Sequence, residues 1–308
     1  MIKNMKALIY KTVAVITLFA ASAYAGLSQT RTIEHDFSPF DAIEASNGFK
    51  VSTSASDSYG VKLTVDDALE SYVECYVKAG TLHISLDEKS VPKDLKRQYK
   101  GRNSADPTLV AIVYLPTLKS LTLNDDSEFF NSPNFSGDSF SLTLNGASKI
   151  SGMKVVAKVV NINLTKNAKL SGANVTSEGD IAVNADGKSS IDMECAAENL
   201  LISAAGSSEV NLNAKVEKKV DETIAGSSKT NLTGSAESIL VNGKAISAKV
   251  EAAGLKVSSA VLSVTGADVN VSPSENIEFD LGRGSQVTYS GNPVIKIDKI
   301  QNATVIHQ

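Results

Sequence analysis

From Leu121 onward, apolar and polar residues alternate in short runs that break at a small or polar corner and then resume. The clearest run is LTLNGASKISG, Leu142 to Gly152. Related runs are LTLNDDSEFFNS from Leu121, INLTKNAKLSG from Ile162, IAVNADGKSSIDM from Ile181, LISAAGSSEVNLN from Leu201 and ETIAGSSKTNLTG from Glu222. Weaker copies cover Leu262 to Val271 and Phe279 to Tyr289.

The polar residue after each corner serves as a ruler. It falls at Glu128, Lys149, Lys169, Ser190, Glu209, Lys229, Asp268 and Gln286, with gaps of 21, 20, 21, 19, 20, 39 and 18 residues. The gap of 39 reads as two units. The next position is apolar in every copy except Thr230: Phe129, Ile150, Leu170, Ile191, Val210, Val269 and Val287. A second apolar set precedes the corner, as in Leu121 and Leu123, Leu142 and Leu144, or Ile162 and Leu164.

A period of two within each run predicts strands whose alternate side chains face opposite sides. The corners carry Asn145-Gly146, Asp186-Gly187, Gly206 and Gly226, residues suited to a left-handed backbone. In the unit without glycine, Asn167 is the expected corner residue. A unit of some twenty residues cannot bury its own apolar face, so copies must stack on one another. The fold expected is all-β: a right-handed parallel β-helix or solenoid, preceded by N-terminal strands that join or cap it. Eight or nine rungs spaced at about 4.8 Å give a stack of about 35–40 Å. Propeller blades need about twice this period.

The expected organisation is a signal peptide at 1–25, an N-terminal β region at 26–118, repeats at 119–293 and a capping strand or tail at 294–308. The signal has Lys3, Lys6 and Lys11 before an apolar stretch, Val13 to Ala21, and then Ala23-Tyr24-Ala25 as a cleavage site. No further membrane span is expected in the mature chain. Strands are expected around the Ser46-Asn47-Gly48 turn, through Val61, Leu63 and Val65, and on both sides of Ala79-Gly80. Residues 87–107 form a basic insert with Lys89, Lys93, Lys96, Arg97, Lys100 and Arg102, read as a solvated excursion with one helical turn. The register of the unit from Ala236 to Ala260 is not set by the pattern, although Gly243 and Gly254 suggest a displaced corner.

Composition narrows the chemistry. Trp is absent and aromatics are 6% of 308 residues, so aliphatic layers must fill the core. A net charge of -4 argues against nucleic acid, whose phosphates need a concentrated basic surface. Cys75 and Cys195 read as two buried small hydrophobes, with a single long-range disulfide as the alternative. There is no metal-ligand spacing, phosphate loop or dinucleotide fingerprint, and no cofactor is expected. His35, His83 and His307 lie outside the repeats, with His83 expected to face outward.

Phe40-Asp41-Ala42-Ile43, Gly48-Phe49-Lys50-Val51, Gly80-Thr81-Leu82-His83-Ile84, the run Val113 to Leu121, the Gly-Ser-Ser corners and Tyr289-Ser290-Gly291-Asn292-Pro293 follow one another in an order that resembles a bacterial family known as putative auto-transporter adhesin, head GIN domain. The resemblance implies an exported, β-helical, adhesin-like protein and supplies no catalytic residues. Two functions are then in play. One is a non-enzymatic envelope or surface protein offering a polar solenoid face, with Glu128, Lys149, Lys169, Glu209 and Lys229 in line, to a glycan or a cell-surface protein. The other is a polysaccharide lyase or hydrolase, for which Asp66-Asp67, Asp125-Asp126, Asp192, Glu194 and Arg283 are the candidates. Asp125-Asp126 fits a turn better than catalysis, because it stands where other units have their corner glycine.

Overall fold

The computed structural model describes residues 29–99, 106–130 and 134–308. The signal segment at 1–25, and Lys100 and Arg102 of the insert, lie outside them. The chain is nearly all strand and winds into a β-solenoid of about nine turns, each of roughly twenty residues.

Two ladders of parallel strands hold the turns together. On the first face, Ala42–Ala45 pairs with Ser120–Leu123, which pairs in turn with the end of Asn134–Leu144. The ladder continues through Lys154–Leu164, Asp180–Ala185, Asn199–Ala204 and Lys219–Gly226 to the start of the long strand Ser238–Leu281. On the second face, Lys50–Ala55 pairs with Glu128–Phe129, followed by Lys149–Ser151, Lys169–Ser177, Ser190–Ala197, Glu209–Val216 and Lys229–Ser235. Ladder pairing runs without a break from residues 42–55 into the repeats. The Asn47-Gly48 corner therefore belongs to a coil of the same stack.

Strict alternation explains the core. Leu142 and Leu144 are fully buried, as are Leu121, Leu123 and Ile162 in the neighbouring rungs. The lumen is a file of aliphatic side chains in which each rung covers the next. Burying one such Leu is worth about 2 kcal/mol relative to leaving it in water. The expected apolar column is observed, with Val51 preceding Phe129, Ile150, Leu170, Ile191 and Val210.

At its N-terminal end the stack is closed by antiparallel strands. Val73–Lys78 pairs with Thr81–Leu86 below the first face. Leu109–Leu115 lies below Lys50–Ala55, and Gly60–Asp66 then joins it to Thr30–Asp36. The basic insert carries a short helix, Lys93–Gln98, tethered by the buried Val91 and by Leu95 and Tyr99, which pack against the core. At the other end, Val294–Ile300 and Thr304–His307 form a last coil paired to Ser238–Leu281 and Gln286–Tyr289.

The irregular unit is placed by pairing. Gly226 aligns with Ala245 and Lys229 with Lys249, so one extra residue is taken up between Ala245 and Lys249, where Ile246 projects into solvent. Lys249 is thus the marker missing from the double gap. Gly243 is not a corner. It lies in the ladder above Ile224, where an added Cβ would stand 2.1 Å from the Ile224 carbonyl oxygen. The corner expected at Asn167 is also displaced: Lys166 takes the left-handed conformation, with φ of 62°. Lys166 stacks between Gly146 and Gly187, which have φ of 78° and 74°. The position in the stack overrides the residue preference.

Candidate functional site

The second face carries the predicted file of polar markers. Glu128, Lys149, Lys169, Ser190, Glu209, Lys229 and Lys249 are consecutive register partners, with Lys50 preceding Glu128. The structure therefore brings Glu128, Lys149, Lys169, Glu209 and Lys229 into one line. Glu128 is half-buried and the other four are exposed. Ion pairs form along this line: Lys149 Nζ lies 3.6 Å from Glu128 Oε1 on the neighbouring rung, and Lys249 Nζ lies 2.7 Å from Glu251 Oε1 on its own strand. That lysine holds the partly exposed Glu251 below the usual carboxylate range. Beside this file runs a second one of polar side chains, Ser171, Asp192, Asn211, Asn231 and Glu251.

The proposed hydrolytic carboxylates sit in different settings. Asp66 is buried and accepts a hydrogen bond from the Thr108 amide at 3.2 Å. Asp67 pairs with Arg31 at 3.0 Å. Asp125 occupies the left-handed corner position, with φ of 61°, so its backbone does the work glycine does elsewhere. Asp192 and Glu194 share the second face, and Glu194 accepts from Asn174 at 3.3 Å. Among the described residues, no group of three or more His, Cys, Asp or Glu could hold a metal ion. Cys75 and Cys195 are free thiols; Cys195 is buried as expected, whereas Cys75 lies on the edge strand and is only half-buried, and desolvation pushes each up to about 12.

Two features escaped the sequence pattern. The first is a polar track along the corner between the faces. His83 Nδ1 lies 3.2 Å from Glu44 Oε2, and Asn124 Nδ2 donates to Glu44 Oε1 at 3.1 Å. Asn145 Nδ2 then donates to Asn124 Oδ1 at 2.9 Å, and Thr165 Oγ1 donates to Asn145 Oδ1 at 2.8 Å. A groove of about 460 Å³ opens here, lined by Asn124, Asp125, Asn145, Thr165 and Lys166. The recurrence of Asn124 and Asn145 just before the corner was the available signal. His83 lies in the outward file with Glu44 and Thr122, stacked at 5.0 Å on the ring of Tyr76.

The second is Glu222. It stands in the lumen between Ile202 and Val241 with no exposed surface. Burial pushes its carboxyl up to about 7, and the nearby Thr230 opposes that rise only in part. No side-chain oxygen of Glu222 or Thr230 reaches full hydrogen-bond geometry with a partner. The parity of Val220, Glu222 and Ile224 was the signal, because all three fall on inward positions.

Stacked parallel rungs with a largely aliphatic lumen and polar outer files define a β-solenoid. Among the described residues, no helix is long and apolar enough to cross a membrane. The chain belongs to the family described as "Putative auto-transporter adhesin, head GIN domain", which matches residues 39–223 and 156–293. Among solved structures, it is similar to a putative lipid binding protein from Parabacteroides distasonis, with 20% identity and a TM-score of 0.44 over 91% of this chain and 96% of that one. It is also similar to a putative adhesin from Parabacteroides merdae, with 17% identity and a TM-score of 0.43 over 92% of this chain and 98% of that one. No curated protein matches the chain.

Proposed function

We propose that this is an exported, non-enzymatic, adhesin-like protein that presents a polar solenoid face to a glycan or protein partner. The observation that carries the reading is the alignment of Glu128, Lys149, Lys169, Glu209 and Lys229 on consecutive or near-consecutive rungs of one exposed face. A rigid face with a fixed rung spacing of about 4.8 Å offers many weak polar contacts to an extended partner without ordering a loop. Export is supported by the basic, apolar and small-residue segments at 1–25. The adhesin family supports the class of activity, and the scattered settings of the candidate carboxylates favour binding over hydrolysis.

The test is a glycan array, with a surface-protein capture in parallel, probed with residues 26–308. The expected outcome is saturable binding with the glycan left intact. Appearance of new reducing or unsaturated ends would overturn the non-enzymatic reading. Unchanged binding after Lys149→Ala and Lys169→Ala together would remove the charged file from the site.

A further inference from the structure

We infer that the corner groove between the two faces is a subsite for a neutral, extended glycan chain lying parallel to the solenoid axis. This rests on the adhesin-like reading above and names the ligand class. The groove crosses successive rungs at the Asn124-Asp125, Asn145-Gly146 and Thr165-Lys166 corners, and Ser46 extends it by one rung toward the N-terminal end. Its polar side chains are held in place by one another: Thr165 donates to Asn145, and Asn145 to Asn124, which is anchored on Glu44. A ligand therefore meets amides and a hydroxyl whose rotamers are already fixed, which lowers the ordering cost of binding.

The chemistry selects the ligand. The amides and hydroxyls both donate and accept, which suits sugar hydroxyl groups. The groove lining lacks the buried aromatic or aliphatic anchor on which a protein partner depends. Asp125 and Lys166 balance each other in the lining, so the groove offers no concentration of positive charge for a phosphate polymer. An aromatic platform stands at the foot of the same track: Tyr76 is 41% exposed and stacks on His83, which contacts Glu44. Its exposed ring surface is suited to packing against a sugar ring. From Tyr76 to Thr165 the track crosses six strands, a length of about 24 Å at the usual strand spacing.

The experiment measures binding of the mature chain to uncharged glycans by array and then by calorimetry. The variants are Tyr76→Ala, Thr165→Val and Asn145→Ala, with Lys218→Ala as a distant surface control and thermal melts to confirm folding. At least a tenfold loss of affinity is expected for Tyr76→Ala and Asn145→Ala, with Lys218→Ala unchanged. Tyr76 lies on an edge strand, so its variant keeps the test valid if Asn145→Ala fails to fold. Glycan binding that survives all three substitutions would overturn the groove and leave the adhesin-like reading intact. No uncharged glycan bound by the wild type would also overturn the groove, leaving that reading with a protein partner. Binding confined to charged glycans and abolished by high salt would move the site to the lysine file.

Discussion

Replacing Glu222 by Gln isolates the one carboxyl that the lumen encloses completely. In the native chain this group titrates at about 7 rather than the ordinary 4.5, because burial disfavours its charged form. The folded state thus holds a proton that the unfolded chain has largely lost above pH 4.5. The contribution of Glu222 to stability is greatest at or below pH 4.5, falls as pH rises from 4.5 to about 7, and is level beyond that. At about 1.4 kcal/mol per pH unit, that interval amounts to a loss of about 3 kcal/mol. Glu222→Gln keeps the shape and cannot ionise, so its stability should lack this decline. Other groups act in both proteins and cancel in the difference. These include His35, which burial lowers and which therefore favours stability at higher pH, and the exposed Asp87 and Asp138, whose lowered values matter only in acid. The assay is urea denaturation at fixed pH values from 4.5 to 8, comparing midpoints for the two proteins. A wild type that parallels the variant across this range would show that Glu222 is solvated or paired in the native state, and the account of the lumen would fail.

Further outcomes follow from the same geometry. Gly226→Ala forces a side chain into a left-handed corner (φ 67°), with its Cβ 2.6 Å from the Gly206 carbonyl oxygen, so a far larger fall in melting temperature is expected than for Gly48→Ala. At Gly48 the added Cβ meets nothing within 4 Å, and only the backbone term of about 1–2 kcal/mol applies. Leu142→Ala should cost about 2–5 kcal/mol by leaving a cavity between rungs. Ile297→Lys, at a side chain 59% exposed on the last coil, should leave the melting temperature within about 2 °C of wild type, since surface changes stay near 0.5 kcal/mol. The buried thiol of Cys195 should react with Ellman's reagent at pH 8 only after denaturation, and fast labelling of both cysteines in the native protein would contradict its burial.

The stack itself was legible because its cause is local and repeated. Each rung states its inward residues by parity and its corner by Gly, Asn or Asp, and the spacing says that rungs superimpose. What parity alone could not supply was the consequence of a neighbour. Lys166 becomes the left-handed residue because Gly146 and Gly187 lie on either side of it, although Asn167 is the better residue for that conformation in isolation. The extra residue before Lys249 is likewise invisible until Lys229 pairs across it. The marker file was readable for the same reason as the core, since side chains one rung apart share a direction. The groove was harder to read because it is assembled from residues whose contacts cross rungs, such as Glu44 with Asn124, eighty positions apart.

That difference bears on how a solenoid acquires function. In the lumen, a change at one rung is felt by the rungs above and below, so Glu222 between Ile202 and Val241 is a liability that only a proton relieves. On the outside, a rung can change its polar residue without disturbing the ladder, because the backbone pairing is indifferent to what points outward. Lys149 and Glu128 can therefore exchange charge, and Asn124, Asn145 and Thr165 can exchange hydrogen-bonding groups, while the rung spacing stays constant. On the function proposed above, a partner would be recognised by the order of residues along the axis, with the stack acting as the ruler. It follows that substitutions in the outer files should alter binding without altering unfolding, whereas substitutions in the lumen should do the reverse.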